Sequence, residues 1–153
     1  MSIGFGYDVH RFEAGRRLVL GGVEIEHDRG LDGHSDADVL THAIIDALLG
    51  AAGLGDIGRH FPDTDERFRD ADSLELLRET VLLLGHRRIV NVDVTVVIER
   101  PMLAPHVGAM EANLADALGV AAVNVKATRG EGMGFAGREE GALALAVAQL
   151  ADD

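Results

Sequence analysis

Residues 31–65 of this 153-residue chain read LDGHSDADVLTHAIIDALLGAAGLGDIGRHFPDTD, and this stretch contains a long helical pattern. Apolar residues recur in it at helical spacing, namely Val39, Leu40, Ala43, Ile44, Ala47 and Leu48. Their period predicts a helix over about residues 37–51. Ser35 or Asp36 is suited to cap its N-terminus, and Gly53 is suited to end it.

The predicted helix carries a histidine between two acids. Asp38, His42 and Asp46 are spaced four residues apart, so they share one helical face. Carboxylates beside an imidazole are typical of the groups that orient a metal-bound histidine, and apolar neighbours place His42 near the buried side. A solvated acidic face would show the same spacing, so both interpretations stay open at this point.

A second carboxylate–imidazole pair lies near the N-terminus, in IGFGYDVHRF at residues 3–12. Residues 2–8 predict a strand, and on an extended chain Asp8 and His10 project to the same side. The glycines of this stretch allow a neighbouring element or a ligand to approach closely. A hydrogen-bonded surface pair would have the same sequence.

Asp8, His10 and His42 together are candidate metal ligands. The chain contains no cysteine, so a zinc site would have to use histidine and carboxylate side chains. Three protein ligands with one open position are typical of catalytic rather than structural zinc.

Three loops carry residues suited to bind an anion or a second cation. His34 and Ser35 precede the helix, whose N-terminus attracts anions, and a role of Ser35 as helix cap would not exclude anion binding. A polar loop after the helix contains Asp56, Gly58, Phe61 and Asp63, and an Asx-turn connection would explain these residues as well.

KATRGEGMGFAGR at residues 126–138 places glycine-rich backbone after a strand, which suits phosphate, and its Glu131 suits a hard cation. A mobile hairpin loop is the alternative there.

The remaining patterns predict an α+β domain over residues 1–153. Residues 16–28 predict a hairpin with Gly21 and Gly22 at its turn, and residues 73–87 and 105–119 predict helices. Residues 89–99 and 122–128 predict strands. The tail, residues 141–151, alternates like a strand, although its alanines would also suit a helix. We favour the strand, and expect helices on one face of a mixed sheet.

Composition narrows the class of protein. Hydrophobic residues make up 47% of the chain, and 14 basic against 26 acidic residues give a net charge of −12. Such an acidic balance argues against nucleic-acid binding but suits metal binding. Neither a secretory signal nor an apolar run long enough to span a membrane is visible, so we expect a cytoplasmic protein with no membrane partner.

The motifs resemble those of the 2-C-methyl-D-erythritol 2,4-cyclodiphosphate synthase family. GFGYDVHRF, residues 31–65, NVDVTVV, and VNVKAT followed by a glutamate and GFAGREEG occur in the family's order and spacing over essentially the whole chain. The resemblance implies a homotrimer with an apolar central cavity. It also implies a mixed four-stranded sheet with helices on one face and a small N-terminal hairpin.

The resemblance also implies a site for every motif. It makes Asp8, His10 and His42 the zinc ligands and Glu131 the ligand of Mg²⁺ or Mn²⁺. Residues implied to contact the substrate include Asp8, His10, His34 and Ser35. Those implied to line its methylerythritol side are Asp56, Ile57, Gly58, Phe61, Pro62, Asp63, Thr64 and Asp65. Those implied for the cytosine pocket are Ile98, Glu99, Arg100, Pro101, Met102, Leu103 and Ala104. Those implied near the diphosphate are Thr128, Arg129, Gly130, Glu131, Phe135 and Arg138.

The implied reaction is an intramolecular phosphoryl transfer in the non-mevalonate isoprenoid pathway, by a phosphorus–oxygen lyase. The 2-phosphate of 4-diphosphocytidyl-2-C-methyl-D-erythritol 2-phosphate attacks the β-phosphate, releases CMP and closes a cyclic diphosphate. The family's zinc side comes from one subunit and its cytidine side from the neighbour. His34 is implied to stabilise the transition state.

Two positions depart from the family pattern. Arg129 stands where the family has a second threonine credited with transition-state stabilisation, and its guanidinium can donate strongly to phosphate. Met102 stands where a lysine is common, which removes a cation but keeps the backbone contacts.

Two other functions remain as alternatives. One is a zinc-dependent phosphoesterase that uses the same ligands to activate water. The other is a non-catalytic module that binds a nucleotide or an isoprenoid. CMP release without uptake of water distinguishes the synthase from the phosphoesterase, and the retained ligand set argues against the module.

Overall fold

Strands from the two ends of the chain pair along nearly their whole length. In the computed structural model, which describes residues 1–152, β1 (Ser2–Ala14) lies antiparallel to β7 (Gly141–Ala151). β7 also pairs antiparallel with β5 (Arg88–Val97), and β5 pairs parallel with β6 (Val123–Thr128). The tail is therefore a strand, as favoured, and the first strand is longer than the predicted 2–8.

The main sheet has five strands within residues 1–152, so the expectation of four is wrong. Its order is β4-β1-β7-β5-β6, with β4 (Arg29–Leu31) as an edge strand. β4 pairs with the stretch from Phe12 to Ala14, where β1 continues beyond β7. Three residues are too few to show a strand period in the sequence. The predicted hairpin is present as β2 (Leu18–Leu20) and β3 (Val23–Ile25).

The three predicted helices are present, with shorter bounds for the second. They are α1 (Val39–Ala52), α3 (Ser73–Leu83) and α4 (Val107–Leu118). The polar loop adds a short α2 (Ile57–His60) and a 3₁₀ turn at Glu66–Phe68, and the glycine-rich loop adds α5 (Gly134–Gly137). A further 3₁₀ turn at Ala104–His106 precedes α4.

Asp38 caps α1, so the prediction of Ser35 or Asp36 as its N-cap is wrong. The Asp38 carboxylate accepts a hydrogen bond from the Thr41 amide at 3.0 Å. Ala37 lies in the left-handed region, with φ +56°, and the helix therefore starts only after it. Gly53 ends the helix with φ +70°, as predicted.

α1 packs unusually closely against β1. A Cβ atom on Gly6 would lie 1.8 Å from the Ala43 carbonyl oxygen, and one on Gly4 would lie 1.9 Å from that of Ala47. A side chain at either position would therefore overlap with the helix backbone. The predicted role of these glycines in close approach is confirmed, and the contact joins the element that carries His42 to the one that carries Asp8.

The two faces of the sheet differ in what covers them. α1 packs on the inward residues of β1 and β7, and the buried core lies there. The other face exposes alternate apolar side chains, namely Ile3, Phe5, Tyr7 and Val9 of β1 and Val147 of β7. None of the helices within residues 1–152 is both long and apolar enough to cross a bilayer.

Candidate functional site

Three ligand atoms meet where β1 approaches the N-terminal half of α1. Asp8 and His10 project from β1, and His42 projects from the first turn of α1. His10 Nε2 lies 2.8 Å and His42 Nδ1 lies 3.1 Å from Asp8 Oδ2. The two histidine nitrogens lie 3.4 Å apart. The structure therefore brings together three candidate ligands that are up to 34 residues apart in the sequence.

These distances fit a tetrahedral metal ion. Ligand atoms about 2.0–2.1 Å from a common centre at tetrahedral angles lie about 3.3 Å apart. The two spacings from His42 Nδ1, 3.1 and 3.4 Å, are close to this value, and the 2.8 Å between His10 and Asp8 is shorter. His42 is buried, whereas Asp8 and His10 are partly exposed. The triangle formed by Asp8 Oδ2, His10 Nε2 and His42 Nδ1 thus has one solvent-accessible side, where an additional ligand can enter. Nitrogen and oxygen donors in this number suit zinc.

Neighbouring oxygens hold each imidazole in place. His10 Nδ1 donates to the Asp32 carbonyl oxygen at 2.7 Å, which leaves Nε2 facing the triangle. His42 Nε2 lies 2.7 Å from Ser73 Oγ and 3.2 Å from Ser35 Oγ, which leaves Nδ1 facing it. Sequence reasoning missed Asp32 and Ser73, because they come from distant segments and one contact uses a backbone oxygen.

Asp38 and Asp46 do not hold His42, so that prediction is wrong. Asp38 is fully buried and accepts hydrogen bonds from Gly21, Gly22 and Thr41. Asp46 accepts from the Ile57 amide at 2.8 Å and so ties α2 to α1. Both carboxylates share a helical face with His42, but backbone donors from other elements are nearer. Burial raises the pKa of both acids.

The three candidate ligands influence one another's pKa values. Burial would raise the pKa of Asp8, but hydrogen bonds and charges from His10 and His42 outweigh it and lower the pKa to about 2. Burial would lower the pKa of His10, but Asp8 outweighs it and the pKa is raised. Asp8 is therefore ionised at neutral pH and available as a metal ligand.

A pocket of about 360 Å³ opens beside the triangle. Predicted site residues that line it are Asp8, His10, His34, Ser35, His42, Ile57, Gly58, Phe61, Pro62 and Asp63. Gly33, Phe68 and Leu76 also line it and were missed. Asp56, Thr64 and Asp65 lie outside this lining: Asp56 caps α2, as the Asx-turn interpretation proposed, and the Asp65 carbonyl lies 3.0 Å from His34 Nε2.

A second pocket, of about 650 Å³, lies between β5, β6 and the segment that follows β5. Predicted residues that line it are Ile98, Glu99, Arg100, Pro101, Met102, Leu103, Ala104, Thr128 and Arg129. Val107, Ala127, Gly137 and Glu139 line it as well and were missed. Gly130, Glu131, Phe135 and Arg138 lie outside this lining, in the adjoining loop and α5.

A buried carboxylate holds Arg129 at the rim of the second pocket. Glu99 is 9% exposed, and its Oε1 accepts a hydrogen bond from the Arg129 guanidinium at 3.1 Å. Burial would raise the pKa of Glu99, but this bond outweighs it and lowers the pKa. Arg129 itself stays largely exposed. The guanidinium is therefore anchored at one edge and free to meet an anion at another.

The two pockets share no lining residue within the described part of the chain. The metal-ligand triangle belongs to the first pocket, and the candidate nucleotide side belongs to the second. A substrate that needs both groups of residues must therefore bridge two separate surfaces of this chain or of two copies of it.

Comparison with known proteins gives consistent results. A family model described as the YgbB family matches residues 1–151. A 2-C-methyl-D-erythritol 2,4-cyclodiphosphate synthase of Syntrophobacter fumaroxidans is 61% identical over 100% of this chain and 99% of its own. The solved structure of the bifunctional IspDF from Campylobacter jejuni is 43% identical, with a TM-score of 0.95, and covers 99% of this chain and 42% of its own. A synthase of this name, solved in a form with CDP bound, is 37% identical, with a TM-score of 0.89, and covers 97% of this chain and 99% of its own.

Proposed function

The chain belongs to the YgbB family, and we propose that it acts as a 2-C-methyl-D-erythritol 2,4-cyclodiphosphate synthase. Its substrate is 4-diphosphocytidyl-2-C-methyl-D-erythritol 2-phosphate, and its products are the 2,4-cyclodiphosphate and CMP. As a reaction class this makes it a phosphorus–oxygen lyase. The observation that carries the proposal is the triangle of Asp8, His10 and His42 at the mouth of a pocket, in a chain 61% identical to a synthase of that name.

Asp8, His10 and His42 would hold Zn²⁺. A zinc ion bound there supplies Lewis-acid polarisation of a phosphoryl oxygen. Glu131 would hold Mg²⁺ or Mn²⁺, since an exposed carboxylate next to glycine-rich backbone suits a hard cation with phosphate ligands. No protein nucleophile is needed, because the attacking group is part of the substrate.

The chain's own residues position the two ends of one molecule. His34 and Ser35 lie in the first pocket and would meet phosphate oxygens, while Phe61 and Asp63 line its methylerythritol side. The segment from Ile98 to Ala104 would receive the cytosine, and Arg129 would donate to the diphosphate. Holding both reacting groups turns ring closure into a problem of orientation, which is worth several powers of ten in rate.

A homotrimer would bring the two pockets together. The outward face of β1 and β7 exposes Phe5 at 62%, Tyr7 at 46% and Val147 at 41%, which is typical of a surface covered by another chain. Three such faces around an axis would enclose an apolar cavity. The first pocket of one subunit would then adjoin the second pocket of its neighbour.

The proposal is tested by incubating the chain with the cytidine substrate, zinc and Mg²⁺ in ¹⁸O-labelled water. We expect phosphorus NMR to report a cyclic diphosphate and CMP, with no label from solvent in either product. Label in a phosphate of the product would instead identify a phosphoesterase that activates water.

The matched variant is His42→Ala. It is expected to remain folded but to lose both bound zinc and turnover, because one of three ligands is removed. Zinc retained at the wild-type amount would contradict the assignment of His42. A non-catalytic binding module would give no product with either chain.

A further inference from the structure

A chain of hydrogen bonds runs from the partly buried Asp36 through Ser73 to His42. Asp36 Oδ1 accepts from Ser73 Oγ, and Ser73 Oγ lies 2.7 Å from His42 Nε2. Ser73 is fully buried, and His42 is 7% exposed. The Ser73–His42 bond therefore lies away from solvent, although Asp36 at the other end of the chain is partly exposed, and the direction of that bond is set by the groups themselves.

Asp36 sets the direction of the first bond. An ionised carboxylate only accepts hydrogen bonds, and a serine hydroxyl has a single hydrogen to donate. The Asp36 carboxylate also accepts from the amides of Ser73 at 2.9 Å and Asp38 at 3.1 Å. The Ser73 hydrogen is therefore committed to Asp36, and Ser73 Oγ is left as an acceptor towards His42.

His42 must then carry its hydrogen on Nε2. Only an Nε2–H group can donate to Ser73 Oγ, so the lone pair of a neutral His42 lies on Nδ1. Nδ1 is the atom that faces Asp8 Oδ2 at 3.1 Å and His10 Nε2 at 3.4 Å. This chain of hydrogen bonds thus selects the tautomer that a metal ion in the triangle requires.

The same direction decides what Ser35 can do. Its Oγ lies 3.2 Å from His42 Nε2 and accepts from the Ala37 amide at 3.3 Å. Because Nε2 carries a hydrogen and the Ala37 amide is a donor, neither can accept from Ser35, and the Ser35 hydroxyl hydrogen has no acceptor among them. Arg16 fixes the Ser35 backbone by donating to its carbonyl oxygen at 2.9 Å. Ser35 lines the first pocket, so that hydrogen is available to a ligand there.

We propose that Asp36 and Ser73 are positioning residues that fix His42 as the Nε2–H tautomer, and thereby make Ser35 a hydrogen-bond donor to a phosphate oxygen in the first pocket. This inference rests on the proposed function for the zinc ion and the phosphate. It adds that Asp36 and Ser73 orient His42 on the side away from the metal, and it assigns a donor and an acceptor to each hydrogen bond.

The first experiment needs no mutation of the chain. Zinc-loaded protein with ¹⁵N-labelled histidine is examined by long-range proton–nitrogen NMR. His42 is expected to bind metal through Nδ1 and to keep a slowly exchanging hydrogen on Nε2. Metal bound through Nε2, or a rapidly exchanging Nε2 hydrogen, would overturn the inference.

The second experiment measures zinc affinity by competition with a chromophoric chelator. Ser73→Ala and Asp36→Asn are each expected to bind zinc about 10- to 100-fold more weakly, as is common when a group behind a metal ligand is removed. Thr80→Val removes another buried hydroxyl of α3, one that bonds to Leu76 within the helix, and should leave the affinity unchanged. Thermal unfolding of each variant identifies any that fail to fold.

Ser35→Ala separates the two halves of the inference. It should keep zinc near the wild-type affinity, because Ser73 still holds His42, but bind CDP more weakly. Unchanged zinc affinity in folded Ser73→Ala overturns the inference, whereas a wild-type chain that binds no zinc overturns the proposed function. CDP affinity equal to wild type in Ser35→Ala would overturn the donor role of Ser35.

Discussion

Arg129 combines a charged group with an anchor that limits where it can point. Glu99 receives one edge of its guanidinium at 3.1 Å, and the rest of the group is exposed beside the second pocket. A hydroxyl would need to lie closer to a phosphate, whereas this longer side chain reaches it from a fixed base. Glu99 is therefore as much a part of this arrangement as Arg129.

Removing either partner should slow the reaction. Arg129→Ala is expected to lower kcat by tenfold or more, since one charge-assisted hydrogen bond in the transition state is worth about 1.5–3 kcal/mol. Glu99→Gln should give a smaller loss, because the guanidinium remains but is no longer held. Steady-state kinetics measure both, with Arg78→Ala on the outer side of α3 as the control. An unchanged kcat in Arg129→Ala would mean that this side chain has not taken over the role of the family's threonine.

Acidification should weaken metal binding earlier than it does for an ordinary histidine. Protons and zinc compete for His10 Nε2, and Asp8 raises the pKa of His10 above its usual 6.5. A raised pKa means that the competing proton is bound at a higher pH, so zinc affinity falls as the pH drops through that value. Chelator competition between about pH 8 and pH 6 measures this fall. An affinity that stays constant over this range would contradict it, and unfolding temperatures in the same buffers control for acid destabilisation.

At the scale of elements, the contact between β1 and α1 determines the shape of the candidate metal site. Gly4 and Gly6 let the backbone of α1 approach β1 closely. This approach places the His42 side chain next to those of β1. The helix is buried on nearly all sides, so it cannot move away to accommodate a side chain added at Gly4 or Gly6. The spacing of the three candidate ligands thus depends on the distance between β1 and α1.

Gly6→Ala should therefore damage both stability and metal binding. Its Cβ would overlap with the Ala43 carbonyl, and overpacking of this kind costs about 1–3 kcal/mol or more in the free energy of unfolding. Gly50→Ala is the matched control within α1, because the nearest atom to its new Cβ lies 3.9 Å away. It should stabilise the chain by up to about 1 kcal/mol through helix propensity. Denaturant unfolding and zinc titration measure the pair, and equal stability of the two variants would contradict the argument.

The sequence predicts elements that have a period and misses those that do not. Helix α1 and the tail strand were found because their apolar residues repeat over three or more turns or pairs. β4 and α2 have three and four residues, and their existence depends on pairing with β1 and on the Asp46 bond. Neither is long enough to show a repeating apolar period.

The three candidate metal ligands were picked out of the sequence for a different reason. Few residue types hold zinc in a chain without cysteine, and the candidates had strand and helix spacing. The groups behind them were not predictable, because Ser73 and the Asp32 carbonyl reach the histidines only through the tertiary fold. The sequence spacing of Asp38 and Asp46 placed them on the same helical face as His42. In the structure, however, their carboxylates accept hydrogen bonds from backbone amides instead.

For the whole molecule, the proposed assembly through the apolar outer face of the sheet can be tested directly. Phe5→Glu places a charge at the centre of that face and should reduce the oligomer measured by light scattering to single chains with little activity. Leu82→Glu changes a residue of α3 that is 80% exposed, and should leave the assembly intact. A Phe5→Glu chain with wild-type mass in solution would contradict the use of this face.

Complementation then tests whether neighbours share a site. His42→Ala disables the first pocket and Arg129→Ala the second, so each homotrimer is impaired at every site. In trimers formed by random mixing of equal amounts, about a quarter of shared sites receive two intact halves. Activity should therefore recover to about that fraction of wild type when the two are co-expressed. No recovery would mean that each chain uses its own two pockets.

The glycine-mediated contact between β1 and α1 also bears on the order in which the protein matures. Small zinc domains need the ion in order to fold, but here an apolar core independent of the ligands already holds the strand and the helix together. Metal acquisition should thus be a late, reversible event. A chelator would strip the ion and leave a native chain that regains its cofactor without refolding.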